Sequence, residues 1–155
     1  MRTLTTVLLL AGVTLAACGS SEHSESAQDS SQAEAVDYAN GQWISDDFQQ
    51  ASAIAEEMGR PLLIDLYADW CGPCRTLGDE YFPSEALQPV LSNFVLLRVN
   101  VDVEPGRSMA QEYGANAIPT VVIAQADGTE IDRIVGITRT AEEYAAQLEE
   151  LYTSI

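Results

Sequence analysis

The sequence contains no lysine; its seven basic residues are all arginine. Schiff-base chemistry and catalysis by a lysine general base are therefore excluded. Histidine occurs once, as His23, and cysteine three times. A structural zinc site takes four ligands, and no second CxxC accompanies Cys71 and Cys74, so this pair does not read as half of one. His23 lies among Ser and Glu residues and reads as a solvated linker residue, not a metal ligand or acid–base group. Positive charge is scarce: 24 acidic residues against seven arginines give a net charge of −17. Nucleic-acid binding needs clustered Lys and Arg and is excluded on that balance. The acidity reads as solubility or adaptation to a salt-rich habitat, with steering towards a basic partner as the alternative. A long apolar run is also missing. Leu4 to Leu15 is apolar but falls short of the roughly 20 residues that span a bilayer.

That stretch fits an export signal. Met1-Arg2 is a short positive start, and the apolar run after it is interrupted only by small or hydroxyl residues. Residues 1–17 are expected to be a signal peptide. Leu15-Ala16-Ala17-Cys18 resembles a bacterial lipobox. The resemblance implies cleavage before Cys18 and lipid on Cys18, so that membrane contact runs through a lipid anchor only. An ordinary cleaved signal with an incidental cysteine is the alternative. From Cys18 to Asn40 the chain is rich in Ser, Glu, Gln and Ala and cannot bury enough apolar surface to fold. It is expected to be a disordered tether. About 20 flexible residues have a span on the order of 25 Å, which keeps the remainder close to a membrane. Residues 41–155 have the length and apolar content of one domain.

Within that domain the decisive segment is Trp70-Cys71-Gly72-Pro73-Cys74. Two thiols two residues apart can close a small disulfide ring. The apolar run Pro61 to Tyr67 before them reads as a strand, and a strand that delivers a CxxC to a helix start is a redox-site pattern. The N–H groups and positive dipole end of a helix N-terminus favour a thiolate, so Cys71 is expected to ionise readily and to face solvent as the nucleophile. Cys74, one turn further in, is expected to resolve the mixed disulfide. Asp65 is an acid inside the apolar strand, and burial there raises its pKa.

The remaining elements follow from periodicity and punctuation. Gln42 to Ile44 reads as a short strand, and Asp46 to Met58 as a helix with Phe48, Ala51, Ile54 and Ala55 on one face. Leu62 to Tyr67 is a buried strand, followed by the active-site helix from Cys71 to about Asp79. Ser84 is expected to cap a second short helix ending near Leu91. Phe94 to Val101 is the next strand, and Pro105 opens a helix that Gly114 stops. Asp127-Gly128 is a hairpin signal between Thr120–Ala124 and Glu130–Val135. Thr140-Ala141-Glu142-Glu143 opens the last helix, with Tyr144, Leu148 and Leu151 facing the sheet. Trp43 reads as a packing residue. The expected class is α/β, with a central mixed sheet flanked by helices on both faces.

From about Gly41 onwards the chain resembles the thioredoxin family. The resemblance rests on WCGPC, on Asp65 six residues before Cys71, on Ile118-Pro119-Thr120, and on Gly128 and Gly136. Leu66 to Cys71 and Tyr81-Phe82-Pro83-Ser84 are similar to the periplasmic thioredoxin-like domain of DsbD-type reductases. The resemblance implies a thioredoxin fold and a cis Pro119 facing the cysteines, with Ile118 offering backbone hydrogen bonds to a peptide bound as an added strand. It implies that Asp65 relays a proton for Cys74, or that it is a structural acid paired with Arg98, where the family keeps a lysine. It implies a rim shaped by Gly72 and Pro73, with Trp70 covering one side of the disulfide. The function implied is an envelope thiol–disulfide oxidoreductase facing the periplasm, mainly reducing exported proteins, fed by a DsbD-type membrane donor. No cofactor beyond the cysteine pair is expected, no metal, and a monomer. An oxidant or isomerase of folding proteins, and a non-catalytic binding module of the same fold, are the alternatives.

Overall fold

The computed structural model describes residues 41–155. The signal, Cys18, His23 and the tether lie outside the described residues. Five strands form one sheet in the order β1-β3-β2-β4-β5: β1 is Trp43–Ser45, β2 Leu62–Tyr67, β3 Val95–Asn100, β4 Thr120–Ala124 and β5 Glu130–Val135. β1, β3 and β2 run parallel, while β4 is antiparallel to β2 and β5 to β4. The helices are α1 (Phe48–Met58), α2 (Gly72–Arg75), α3 (Gln88–Leu91), α4 (Gly106–Glu112) and α5 (Ala141–Thr153). The mixed sheet expected from the sequence is present, and β2, β4 and β5 begin and end where the pattern put them.

Central strand β2 explains the layering. Its side chains alternate between faces. Leu62, Ile64 and Leu66 join a core with Ala51 and Ala55 of α1 and Met109 of α4. Leu63 points the other way, into a core with Leu77, Phe82, Phe94, Tyr144 and Leu148. Asp65 shares the second face with Leu63 and is wholly buried. Trp43 packs on Phe82 with ring centroids 4.6 Å apart, as a packing residue should.

Two helices depart from expectation. The active-site helix does not stay α-helical to Asp79. After α2 it widens into a π-helical segment, Thr76–Tyr81, closed by the Phe82 N–H donating to the Leu77 carbonyl. Such insertions cluster at functional sites. The short helix after Ser84 ends at Leu91 as expected but begins later. The Ser84 hydroxyl accepts from the Leu87 N–H at 3.4 Å, but only Gln88–Leu91 is α-helical. Pro89 has no N–H to give to Glu85, so an α-helical ladder cannot run through it. The other ends hold: Asp47 caps α1, Gly59 ends it in the left-handed conformation, and Thr140 caps α5 through the Glu143 N–H.

Candidate active site

The parallel strands deliver their carboxyl ends to one edge of the sheet, where α2 begins. Cys71 is the N-cap of α2, and its sulfur accepts from the Cys74 N–H at 3.2 Å. The two cysteines form a disulfide with a Cα–Cα distance of 5.2 Å. Both are buried, together with Ala68 and against Tyr67, Val101 and Ile118. The expectation that Cys71 faces solvent is therefore corrected: it is 5% exposed, because the strand-end residues close around the disulfide. Gly72 and Pro73 are exposed beside it and form the rim.

The Ile118–Pro119 peptide is cis, as expected, and the Ile118 carbonyl oxygen lies 3.7 Å from Cys71 Sγ. This places the segment before β4 directly against the disulfide. Trp70 is held by a partner beyond the cysteines. It is 68% exposed, and its indole N–H donates to the Asp102 carboxylate at 2.8 Å. Asp102 follows β3, so Trp70 is tethered to the β3–α4 loop and stands at the edge of the site.

Beneath the cysteines, Asp65 and Arg98 face each other in register on β2 and β3. Arg98 Nε lies 3.1 Å from Asp65 Oδ2. Neither atom has a hydrogen-bond partner, so the contact is an ion pair without an aligned N–H. The guanidinium is held from two sides. Its Cζ sits 4.0 Å from the centre of the Tyr67 ring, a cation–π contact. On the other side it lies against Gly78, where a Cβ would come within 2.5 Å of Nη2. Burial of Asp65 pushes its pKa from 3.8 up to about 7; Arg98 opposes that rise without cancelling it. Tyr67, whose ring lies over Arg98, also packs against the cysteine cluster, so the Asp65–Arg98 pair lies next to the layer that holds Cys74.

A helix N-cap disulfide, a cis proline against it and a buried acid below are now in place. The model of the thioredoxin-like domain matches residues 48–152. The chain belongs to the thioredoxin-like domain family. It is 40% identical to thioredoxin of Chlamydia caviae over 76 residues, which are 49% of this chain and 69% of that protein. It is 28% identical over 115 residues to the thiol:disulfide interchange protein DsbD of Yersinia pestis, covering 72% of this chain but 19% of that longer protein. The oxidised C-terminal domain of DsbD from Neisseria meningitidis superposes with a TM-score of 0.57 at 19% identity, covering 66% of this chain and 90% of that one. This thioredoxin-like chain is a thiol–disulfide oxidoreductase by family, and its CxxC pair is closed as a disulfide.

Three features of the site were not read from the sequence: the clamp of Tyr67 and Gly78 on Arg98, the Trp70–Asp102 tether, and the buried hydroxyl of Tyr144. A tyrosine on the apolar face of α5, where phenylalanine would serve packing equally, was the available signal for the last.

Proposed function

We propose that this chain is a lipid-anchored reductant of protein disulfides in the bacterial envelope, facing the periplasm. The observation that carries the chemical part is the Cys71 sulfur capping α2, accepting the Cys74 N–H. Once the disulfide is reduced, the same hydrogen bond favours the anionic sulfur of Cys71. That thiolate attacks a substrate disulfide, forms a mixed disulfide and expels one substrate thiolate. Cys74 then gives its proton to the Asp65 carboxylate and attacks Cys71 Sγ. The Cys71–Cys74 disulfide forms, the second substrate thiolate leaves, and two electrons have passed to the substrate. An acid with a pKa of about 7 is half ionised at neutrality, which suits it to accept that proton.

The substrate is an extended segment laid along Ile118-Pro119, over the rim of Gly72, Pro73 and Trp70. Gly72-Pro73 between the cysteines supports the reducing direction, since reducing thioredoxins carry that pair. The lipobox-like Leu15 to Cys18 supports the anchor and the envelope placement. The protein acts as a monomer and needs no cofactor beyond its cysteine pair. Its partners are disulfide-bearing envelope proteins and a membrane electron donor of DsbD type.

The test is trapping. A Cys74→Ala variant expressed in full should accumulate mixed disulfides through Cys71, and mass spectrometry of these adducts should identify envelope proteins and a membrane donor. Adducts absent, or confined to cytosolic proteins, would overturn the proposal. A redox titration checks direction: a potential well above the glutathione range would make the protein an oxidant.

A further inference from the structure

Among the described residues four buried side-chain atoms lack a hydrogen-bond partner: Oδ1 and Oδ2 of Asp65, Nε of Arg98 and the hydroxyl of Tyr144. The topology puts them on one face of the sheet. β5 ends opposite Thr120, the residue that begins β4 at the active-site edge. Helix α5 therefore starts from that edge, and Tyr144 lies in its first turn. Tyr144 is fully buried on the sheet face that carries Asp65. Asp65 is the one charged group whose field bears on the Tyr144 hydroxyl. The neighbouring Tyr81 does not compete, because its own hydroxyl donates to the Thr138 carbonyl at 3.0 Å. A buried hydroxyl left unpaired on the same face as a buried carboxylate is costly, and buried polar groups are normally satisfied by an internal water with two to four such partners.

We propose that Tyr144 is a positioning residue for disulfide exchange, its hydroxyl donating towards the ionised Asp65 carboxylate through one shared buried water. The inference rests on the reading of Asp65 as the proton acceptor for Cys74. Tyr144 itself stays neutral throughout, since burial and the Asp65 charge both push its pKa upwards. It moves no proton. Its work is to favour the carboxylate form of Asp65, which is the form that can take the proton of Cys74. Several other groups also face Asp65. Arg98 comes from β3 and is a fixed cation. Tyr67 lies on the same strand and is held neutral by burial. Val121 lies opposite Asp65 on β4 and carries no charge. The π-helical segment contributes Gly78 and apolar Leu77, and α2 contributes Cys74. The hydroxyl of Tyr144 is thus the neutral donor from α5 in a layer that otherwise offers one arginine.

The experiment compares wild type, Tyr144→Phe and Asp65→Asn in the full chain. Phenylalanine keeps the ring and removes one oxygen, so the core is retained. In the oxidised protein, a carbon-13 titration of the Asp65 carboxyl should show its pKa raised by about one unit in Tyr144→Phe, the effect of losing one hydrogen bond to an anion. The pH–rate profile of mixed-disulfide resolution should move to higher pH by the same amount, with a several-fold loss at neutrality and full recovery in alkali. An unmoved titration and profile in Tyr144→Phe, with Asp65→Asn slow, would overturn the role of Tyr144 alone. An Asp65→Asn rate equal to wild type would remove the relay, and the role of Tyr144 with it.

Discussion

Replacing Asp65 by asparagine should make the protein more stable, and increasingly so as pH rises. The carboxyl is buried, and its folded pKa of about 7 lies above its ordinary value of 3.8. The folded state therefore keeps a proton that the unfolded chain has already released. Stability falls with pH wherever the folded state binds more protons. For Asp65 that window opens near pH 4 and closes near pH 7. The gap is roughly 3 units, and at about 1.4 kcal/mol per unit the penalty above pH 7 is about 4 kcal/mol. Asparagine does not ionise and escapes it. Its amide is an imperfect neighbour for Arg98, so the expected net gain at pH 8 is about 2–4 kcal/mol, shrinking below about 1 kcal/mol at pH 4. The assay is urea denaturation of both oxidised proteins at pH steps from 4 to 8. The remaining carboxylates titrate in both proteins, so the difference between the curves isolates Asp65. A difference that stays flat with pH, or a variant less stable than wild type at pH 8, would refute the reasoning. It would mean that Asp65 is ionised at ordinary acidity and that its pairing with Arg98 is stabilising on balance.

Other consequences are local. A Cβ on Gly106 would lie 2.1 Å from the Asn100 backbone carbonyl oxygen, so Gly106→Ala should cost about 1–3 kcal/mol in thermal or chemical denaturation. Gly78→Ala should force the Arg98 guanidinium out of its seat between Gly78 and Tyr67 and weaken its hold on Asp65; the Asp65 titration should then move above 7. Asp102→Ala removes the acceptor of the Trp70 indole, so fluorescence anisotropy of Trp70 in a Trp43→Phe background should fall, with a stability loss of no more than about 1.5 kcal/mol.

What the sequence made legible was what short-range rules control. Strand β2 is a buried run between Gly59-Arg60-Pro61 and the CxxC, and the hairpin of β4 and β5 is announced by Asp127-Gly128. Capping by Thr140 is a four-residue pattern. What stayed hidden depends on contacts distant in sequence. The π-helical segment cannot be told from an α-helix over six residues, and what it accommodates, the Arg98 guanidinium against Gly78, comes from 20 positions away. Cys71 was expected to face solvent as the nucleophile; Val101, just after β3, and Ile118, just before β4, pack against the cysteine cluster and help bury it. Tyr144 was read as core, and its ring is core. Only the three-dimensional neighbourhood reveals that its hydroxyl shares a layer with Asp65.

The arginine at position 98 sets how many groups titrate in that layer. Arginine keeps its proton at any accessible pH, so in the oxidised protein Asp65 is the one member of the ion pair that titrates. Its titration should therefore be a single step centred at about 7. Lysine would behave differently. Its ammonium is a compact point charge without the planar face that Tyr67 and Gly78 enclose, and burial lowers its pKa. In Arg98→Lys the carboxyl and the ammonium would titrate as a coupled pair, with two apparent values belonging to both. The carboxyl-carbon titration of the oxidised variant should broaden into two steps; because the folded state sheds the ammonium proton before the unfolded chain does, the stability of the variant relative to wild type should rise with pH beyond 8. A two-step curve in the wild type, or an unchanged single step in the variant, would show that Arg98 does not govern the ionisation of Asp65. The cation–π contact at 4.0 Å and the close seat on Gly78 would then be packing alone.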